Sequence, residues 1–192
     1  MSLPHAILTA LLERPSSGLE LTRRFDRSIG YFWSATHQQI YRELGKLELG
    51  GLIEAVPQPP SRGQRKEYRV LSAGRSELVR WVAEGQDPKP IRDPLLLRLR
   101  AAAVVGTAGL DVELRRHLAE HRRQLDEYLE IERRDFPADG SGGGDRLHHR
   151  VLKAGIALET FWVEWLAETI DDLGWGPAGG PAGERMEPPE PL

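Results

Sequence analysis

Apolar residues recur at helical spacing along most of the chain and at strand spacing in one short region only. Ala6, Ile7, Ala10 and Leu11 predict a first helix over residues 3–13. Pro15-Ser16-Ser17-Gly18 reads as a turn. A short second helix follows over 19–27, with Leu21 and Phe25 inward. Thr36 and Gln39 have capping-box spacing, and start a third helix that runs to 49 with Ile40, Leu44 and Leu47 on one face. Gly50-Gly51 ends it, because glycine tolerates the left-handed C-terminal conformation. Ile53 and Val56, then Tyr68, Val70 and Leu71, predict two antiparallel strands over 52–56 and 65–71, joined by a polar loop. Ser72 is expected to cap a fourth helix carrying Leu78, Trp81 and Val82.

Pro88, Pro90 and Pro94 then interrupt any helix, so residues 87–94 read as a stiff linker after a domain spanning 1–86. Residues 95–173 read as an all-helical domain, with helices at about 93–105, 110–135 and 145–173 and a Gly-rich loop between the last two. Leu114, Leu118, Leu125, Tyr128 and Leu129 mark the middle helix. Leu147, Val151, Ala154, Leu158, Phe161, Trp162, Trp165 and Ile170 mark the last. A helical hairpin alone cannot cover such long stripes. A second copy of the chain is the simplest cover, with Leu158, Phe161, Trp162 and Trp165 at the seam. Residues 174–192 hold five Gly and five Pro, and predict a disordered tail.

Composition narrows the chemistry. The chain has 192 residues, 40% of them hydrophobic, and no cysteine. That excludes disulfides, Cys-ligated metals and a thiol nucleophile. No apolar run is long enough for a transmembrane helix, and the first residues lack the features of a secretory signal, so a cytoplasmic protein is expected. The net charge of −3 is polarised. Residues 1–85 hold 12 Lys and Arg against 9 Asp and Glu, whereas residues 86–192 hold 14 against 20. A mildly basic front half suits a nucleic-acid-binding head on an acidic body.

Three helices, a two-stranded wing and a fourth helix make the winged helix-turn-helix pattern. Leu3, Ala6-Ile7-Leu8, Leu11-Leu12, Pro15, Ser17-Gly18 and Glu20-Leu21 resemble the start of the PadR-type transcriptional regulators. So do Phe32-Trp33-Ser34, His37, Gln39-Ile40-Tyr41, Leu44, Leu47-Glu48 and Gly51-Leu52-Ile53. Arg65-Lys66, Tyr68, Leu71, Ala73-Gly74-Arg75, Leu78 and Trp81 continue the match over residues 2–84. The helical remainder resembles the dimerisation arm of the larger PadR subgroup. The resemblance implies a mainly α protein, a homodimeric repressor of double-stranded operator DNA, relieved by a small hydrophobic or aromatic effector and needing no cofactor. Gln38 and Arg42 stand where the family usually has Gly and Pro, which implies a different operator preference.

The candidate DNA-binding residues are Ser34, Thr36, His37, Gln38, Tyr41, Arg42 and Lys46 on the third helix, with Arg62, Gln64, Arg65 and Lys66 in the wing. Gln and Arg can pair with adenine and guanine edges, and wing cations with phosphate. The plain alternative is a solvated surface. Core packing is preferred over ligand binding for Trp33, Trp162 and Trp165. His117-Leu118-Ala119-Glu120-His121 matches an inverted zinc-protease motif by spelling. Its helix face is expected to be solvated among arginines, with no third ligand, so no metal is assigned. Walker, Rossmann and nucleophile-elbow patterns are absent from the sequence, and no enzyme is read. The competing reading is a dimeric interaction or ligand-binding adaptor without DNA binding.

Overall fold

In a computed structural model, which describes residues 3–25, 35–56, 66–137 and 146–175, the first apolar stripe forms α1 (Leu3–Glu13). It buries Ile7, Leu8, Ala10 and Leu11. The expected turn at Ser16–Ser17 is instead a two-residue strand, β1. It pairs antiparallel with β3 (Glu67–Val70), Ser16 opposite Tyr68. With β2 (Ile53–Val56) on the other side of β3, the sheet has three strands in the order β1-β3-β2. Two residues are too few to show alternation, so the pattern could not reveal β1.

Ser17 also caps α2 (Gly18–Arg24): its side chain accepts from the Glu20 N–H, and the Glu20 carboxylate accepts from the Ser17 N–H at 2.9 Å. This helix is shorter than the expected 19–27, and residues 26–27 lie outside the described ones. Arg24 turns back to close α1, donating to the Ala10 carbonyl at 2.6 Å and to the Glu13 carboxylate at 2.7 Å. Cationic donors suit a helix C-terminus, where carbonyls lack partners.

The third helix is α3 (His37–Leu49), with the expected capping box at Thr36 and Gln39. It ends as expected: the Gly50 N–H donates to the Lys46 carbonyl and Gly51 takes φ +66°. α4 (Ser72–Ala83) departs from expectation at its start. Leu71, not Ser72, holds the cap position and offers no side-chain oxygen. The chain is fixed there by the Leu71 N–H donating to the Leu52 carbonyl at 2.9 Å. Gly74 permits the approach, since a Cβ on it would lie 2.3 Å from the Leu52 carbonyl oxygen. Val82, expected inward, is 74% exposed, and α4 is held instead through Trp81 stacked on His5 at 4.5 Å. The core of this unit draws Ile7, Leu8, Leu21, Phe25, Ile40, Leu44 and Ile53 from α1, the α2 end, α3 and β2.

The chain divides into units Met1–Lys89 and Pro90–Leu192, and residues 85–93 carry no helix or strand. In the second unit α5 (Pro94–Val105) starts with Asp93 accepting from the Leu95 N–H at 2.7 Å and with Pro94 in its first turn. Both are favoured helix starts. α6 (Leu110–Asp135) and α7 (Arg146–Asp172) run antiparallel, since His121 meets Glu159 and Glu132 meets His149. Leu95, Leu110, Leu114, Leu166 and Ile170 form the core. Gly174 and Trp175, placed by the sequence in a tail, instead close α7: the Trp175 N–H donates to the Ile170 carbonyl, and the residue packs on this core. Residues 176–192 lie outside the described ones.

Candidate nucleic-acid interface

α3 is amphipathic in the sense a groove-reading helix requires. Ile40, Leu44 and Leu47 are buried, and His37, Gln38, Tyr41, Arg42 and Lys46 are exposed. Thr36 is exposed at the helix start, but its hydroxyl oxygen accepts from the Gln39 N–H, and the Gln39 amide oxygen accepts from the Thr36 N–H at 2.8 Å. Those two groups hold the helix start rather than stand free. Lys46 pairs with Glu43 at 3.1 Å. Neither Gln38 nor Arg42 has a side-chain hydrogen bond or ion pair among the described residues.

Tyr41 is half exposed, and its ring lies against Gly18 at the start of α2. A Cβ there would stand 2.5 Å from the ring, so Gly18 sets where Tyr41 lies. Pattern reasoning missed this role; the contact joins two helices distant in sequence. Burial pushes the Tyr68 hydroxyl above its usual pKa, helped by Glu48 and Tyr41. In the wing, Lys66 is exposed just before β3. Arg69 is also on this hairpin, paired with Glu54 opposite it in register. Ser34, Arg62, Gln64 and Arg65 lie outside the described residues, as does Trp33.

The second unit divides its four candidate residues. Trp162 stacks on His121 at 5.5 Å and meets Trp165 edge-on at 5.6 Å, and both tryptophans pack on the core of their own unit. Leu158 and Phe161 are 55% and 51% exposed. The His117–His121 face is not solvated as expected. His121 lies against α7, bonded to Glu159 at 2.6 Å, while His117 sits 3.3 Å from Glu113. Among the described residues no cluster of three or more His, Cys, Asp or Glu fits a metal, and no helix is long and apolar enough to cross a membrane.

Residues 7–80 match the transcriptional regulator PadR-like family, and residues 91–174 match the family described as virulence activator alpha C-term. The chain is 42% identical over 185 residues to a Mycobacterium tuberculosis protein named "Probable transcriptional regulator Rv1176c", covering 90% of this chain and 98% of that one. The chain belongs to the PadR-like family of transcriptional regulators. PadR-like proteins are regulators, not enzymes.

The Vibrio cholerae virulence activator AphA is similar in structure, with a TM-score of 0.76 and 32% identity over 90% of this chain and 98% of AphA. Bacillus subtilis PadR, a negative transcriptional regulator, is 28% identical over 88% of this chain and 95% of its own. Its complex with operator DNA aligns with a TM-score of 0.75 and 24% identity over 88% and 97% of the two chains, a likeness of fold. Its complex with p-coumaric acid aligns at 0.72 and 26% identity over 91% and 99%. The PadR-like fold is thus a winged helix followed by a helical region, as the sequence pattern indicated.

Proposed function

We propose that this PadR-like chain is a homodimeric, cytoplasmic repressor that binds operator DNA through two copies of α3 and its wing. The observation that carries the reading is the exposed Gln38–Tyr41–Arg42 face on a helix anchored by three buried residues and a capping box. An anchored helix whose Gln38 amide and Arg42 guanidinium have no partner among the described residues suits a major groove. Gln38 and Arg42 read base edges. Ser34, His37 and Tyr41 position the helix along the backbone, joined by Thr36 through its hydroxyl hydrogen and by Lys46 once it leaves Glu43 for a phosphate. Arg62, Gln64, Arg65 and Lys66 hold phosphates beside the groove. Residues 1–86 form the DNA-binding domain, 87–94 the linker, and 95–173 the dimerisation and effector domain.

Two heads joined by the helical domain occupy two half-sites. A small hydrophobic or aromatic effector then favours a head spacing that no longer fits both. The p-coumaric acid complex of Bacillus subtilis PadR supports that effector class. Activation rather than repression is the second reading, favoured by the 32% identity to AphA.

A mobility shift on DNA upstream of the chain's own gene tests the proposal, with Arg42→Ala and Lys66→Ala beside the wild type. Loss of a paired contact at Arg42 is expected to change base preference by about 1–3 kcal/mol. Loss of Lys66 is expected to weaken all sequences alike and to reduce the salt slope by about one unit. Equal affinity of the wild type for operator and scrambled DNA overturns the proposal. A reporter strain lacking the protein separates the two readings, since its target rises under repression and falls under activation.

A further inference from the structure

Glycine opens α2 for a reason that does not lie in its own backbone. Gly18 is the first residue of the helix, follows the Ser17 cap and is buried. Among the described glycines, those with positive φ are Gly51, Gly106, Gly109 and Gly174, so Gly18 holds a conformation open to other residues. Alanine is the better helix former. What a side chain lacks at position 18 is room. A Cβ there would stand 2.5 Å from Cε1 of the Tyr41 ring and 3.1 Å from Cζ, the atom that carries the hydroxyl.

The two sides of this contact are not equally free to move. The Ser17–Glu20 capping box fixes the chain just ahead of Gly18, and Ser16 and Ser17 pair with Tyr68 and Glu67 of β3. On the other side α3 is anchored by buried Ile40, Leu44 and Leu47. The Tyr41 ring, by contrast, is 50% exposed. A methyl group at position 18 therefore turns the ring toward solvent and leaves both backbones in place.

We propose that Gly18 is a positioning residue for operator binding: by carrying no side chain it lets the Tyr41 ring lie along the start of α2, with its hydroxyl donating to a DNA phosphate. The inference rests on the DNA-binding reading above and adds the residue that sets one of its contacts. Gly18 acts through Tyr41 and touches no DNA itself. A ring held in advance binds phosphate without the cost of ordering a free side chain. The hydroxyl is neutral, so the contact adds nothing to counterion release, and a phosphate carries no base preference.

Gly18→Ala in the full-length chain tests the assignment, with fluorescence anisotropy on a duplex from upstream of its own gene and on a scrambled duplex. The variant is expected to melt close to the wild-type temperature. It should bind both duplexes on the order of tenfold more weakly, the scale of one hydrogen bond to a charged group. Base preference and salt slope should stay as in the wild type, which sets the variant apart from Arg42→Ala and Lys66→Ala. Tyr41→Phe, which keeps the ring and removes the donor, should show a similar loss. In a Tyr41→Ala background the new methyl group meets no ring, and Gly18→Ala should change affinity by less than about twofold.

Wild-type affinity of either Gly18→Ala or Tyr41→Phe overturns the proposal. So does an undiminished loss from Gly18→Ala in the Tyr41→Ala background, because the glycine would then act by another route. A Gly18→Ala chain that melts far below the wild type overturns it as well, since the ring would then be a fixed wall of the core. Each of these leaves the DNA-binding reading intact. A wild type that binds neither duplex removes that reading, and this inference with it.

Discussion

Among the described residues the front unit buries eleven hydrophobic side chains drawn from five segments, whereas the back unit buries six on three helices, two of them 26 and 27 residues long. In the front unit α1, the α2 end, α3, β2 and β3 converge, so each apolar stripe meets another from a different direction. In the back unit α6 and α7 lie side by side. Two parallel cylinders can cover only one stripe each, and α7 keeps a second stripe in water. The front unit thus gathers its core from several directions within one chain. The back unit leaves an apolar stripe exposed on one chain, the kind of surface that the proposed dimer would cover.

The first way to break this contrast is in the front core. Leu44→Ala removes a side chain only 1% exposed and is expected to cost about 2–5 kcal/mol. Thermal unfolding should show a loss that does not vary with protein concentration. A loss that shrinks at high concentration would mean that the front unit, too, depends on a second chain.

Phe161→Ala makes the opposite cut. Its ring is half exposed in one chain, so a lone chain should lose little. Covered by a second copy, the ring contributes roughly 1.5–3 kcal/mol, and the variant should unfold at a lower temperature only where the wild type is dimeric. A large loss at every dilution would place Phe161 in the unit's own core.

A smaller effect sharpens the reading of α3. Thr36→Ala removes the oxygen that accepts from the Gln39 N–H and is expected to cost about 1 kcal/mol. Thr36→Ser should restore it. Equal stability of the Ala and Ser variants would show that the cap contributes nothing to the helix that presents Gln38 and Arg42.

The smallest effect is acid titration, which touches both units. The side-chain bonds from Arg80 and then His5 lower Glu77 to about 2, and the bond from Arg116 lowers Glu113 to about 2. Each folded-state value lies below that of the unfolded chain. The stabilisation is therefore present above about pH 4.5 and is lost as pH falls toward 2. Glu77→Gln should flatten the melting temperature over that window in the front unit, and Glu113→Gln in the back unit. An unchanged slope in both variants would assign acid sensitivity to other carboxylates.

What was legible in the sequence was whatever repeats locally. The three back helices appear within a residue or so of their expected ends, because long 3–4 spacings are strong signals, although Asp93-Pro94, read as the end of a linker, proves to be the start of α5. The Thr36–Gln39 box was readable for the same reason. The Ser17-Gly18-Leu19-Glu20 box has the same spelling, but it overlaps Pro15-Ser16-Ser17-Gly18, whose residues equally suit a turn. Contacts between distant segments were not legible: β1 on β3, Arg24 on the end of α1, Gly18 under Tyr41 and the Leu71 start of α4 all need the tertiary arrangement. The same holds for His121, which its arginine neighbours suggested was solvated but which α7 covers. At the candidate interface the exposed face of α3 followed from its buried stripe. The standing of single residues did not, since the commitment of Thr36 and Lys46 to bonds within the head depends on side-chain geometry.

The most direct test of the account is the number of chains on one operator. Sedimentation of a labelled operator duplex with increasing full-length protein should give a single complex holding two chains, formed in one cooperative step. Leu158→Asp, which puts a charge on the exposed row of α7, should still bind as one chain, but far more weakly. One wild-type chain per operator, bound as tightly as the variant, would contradict an account in which two heads read the DNA and the helical domain joins them.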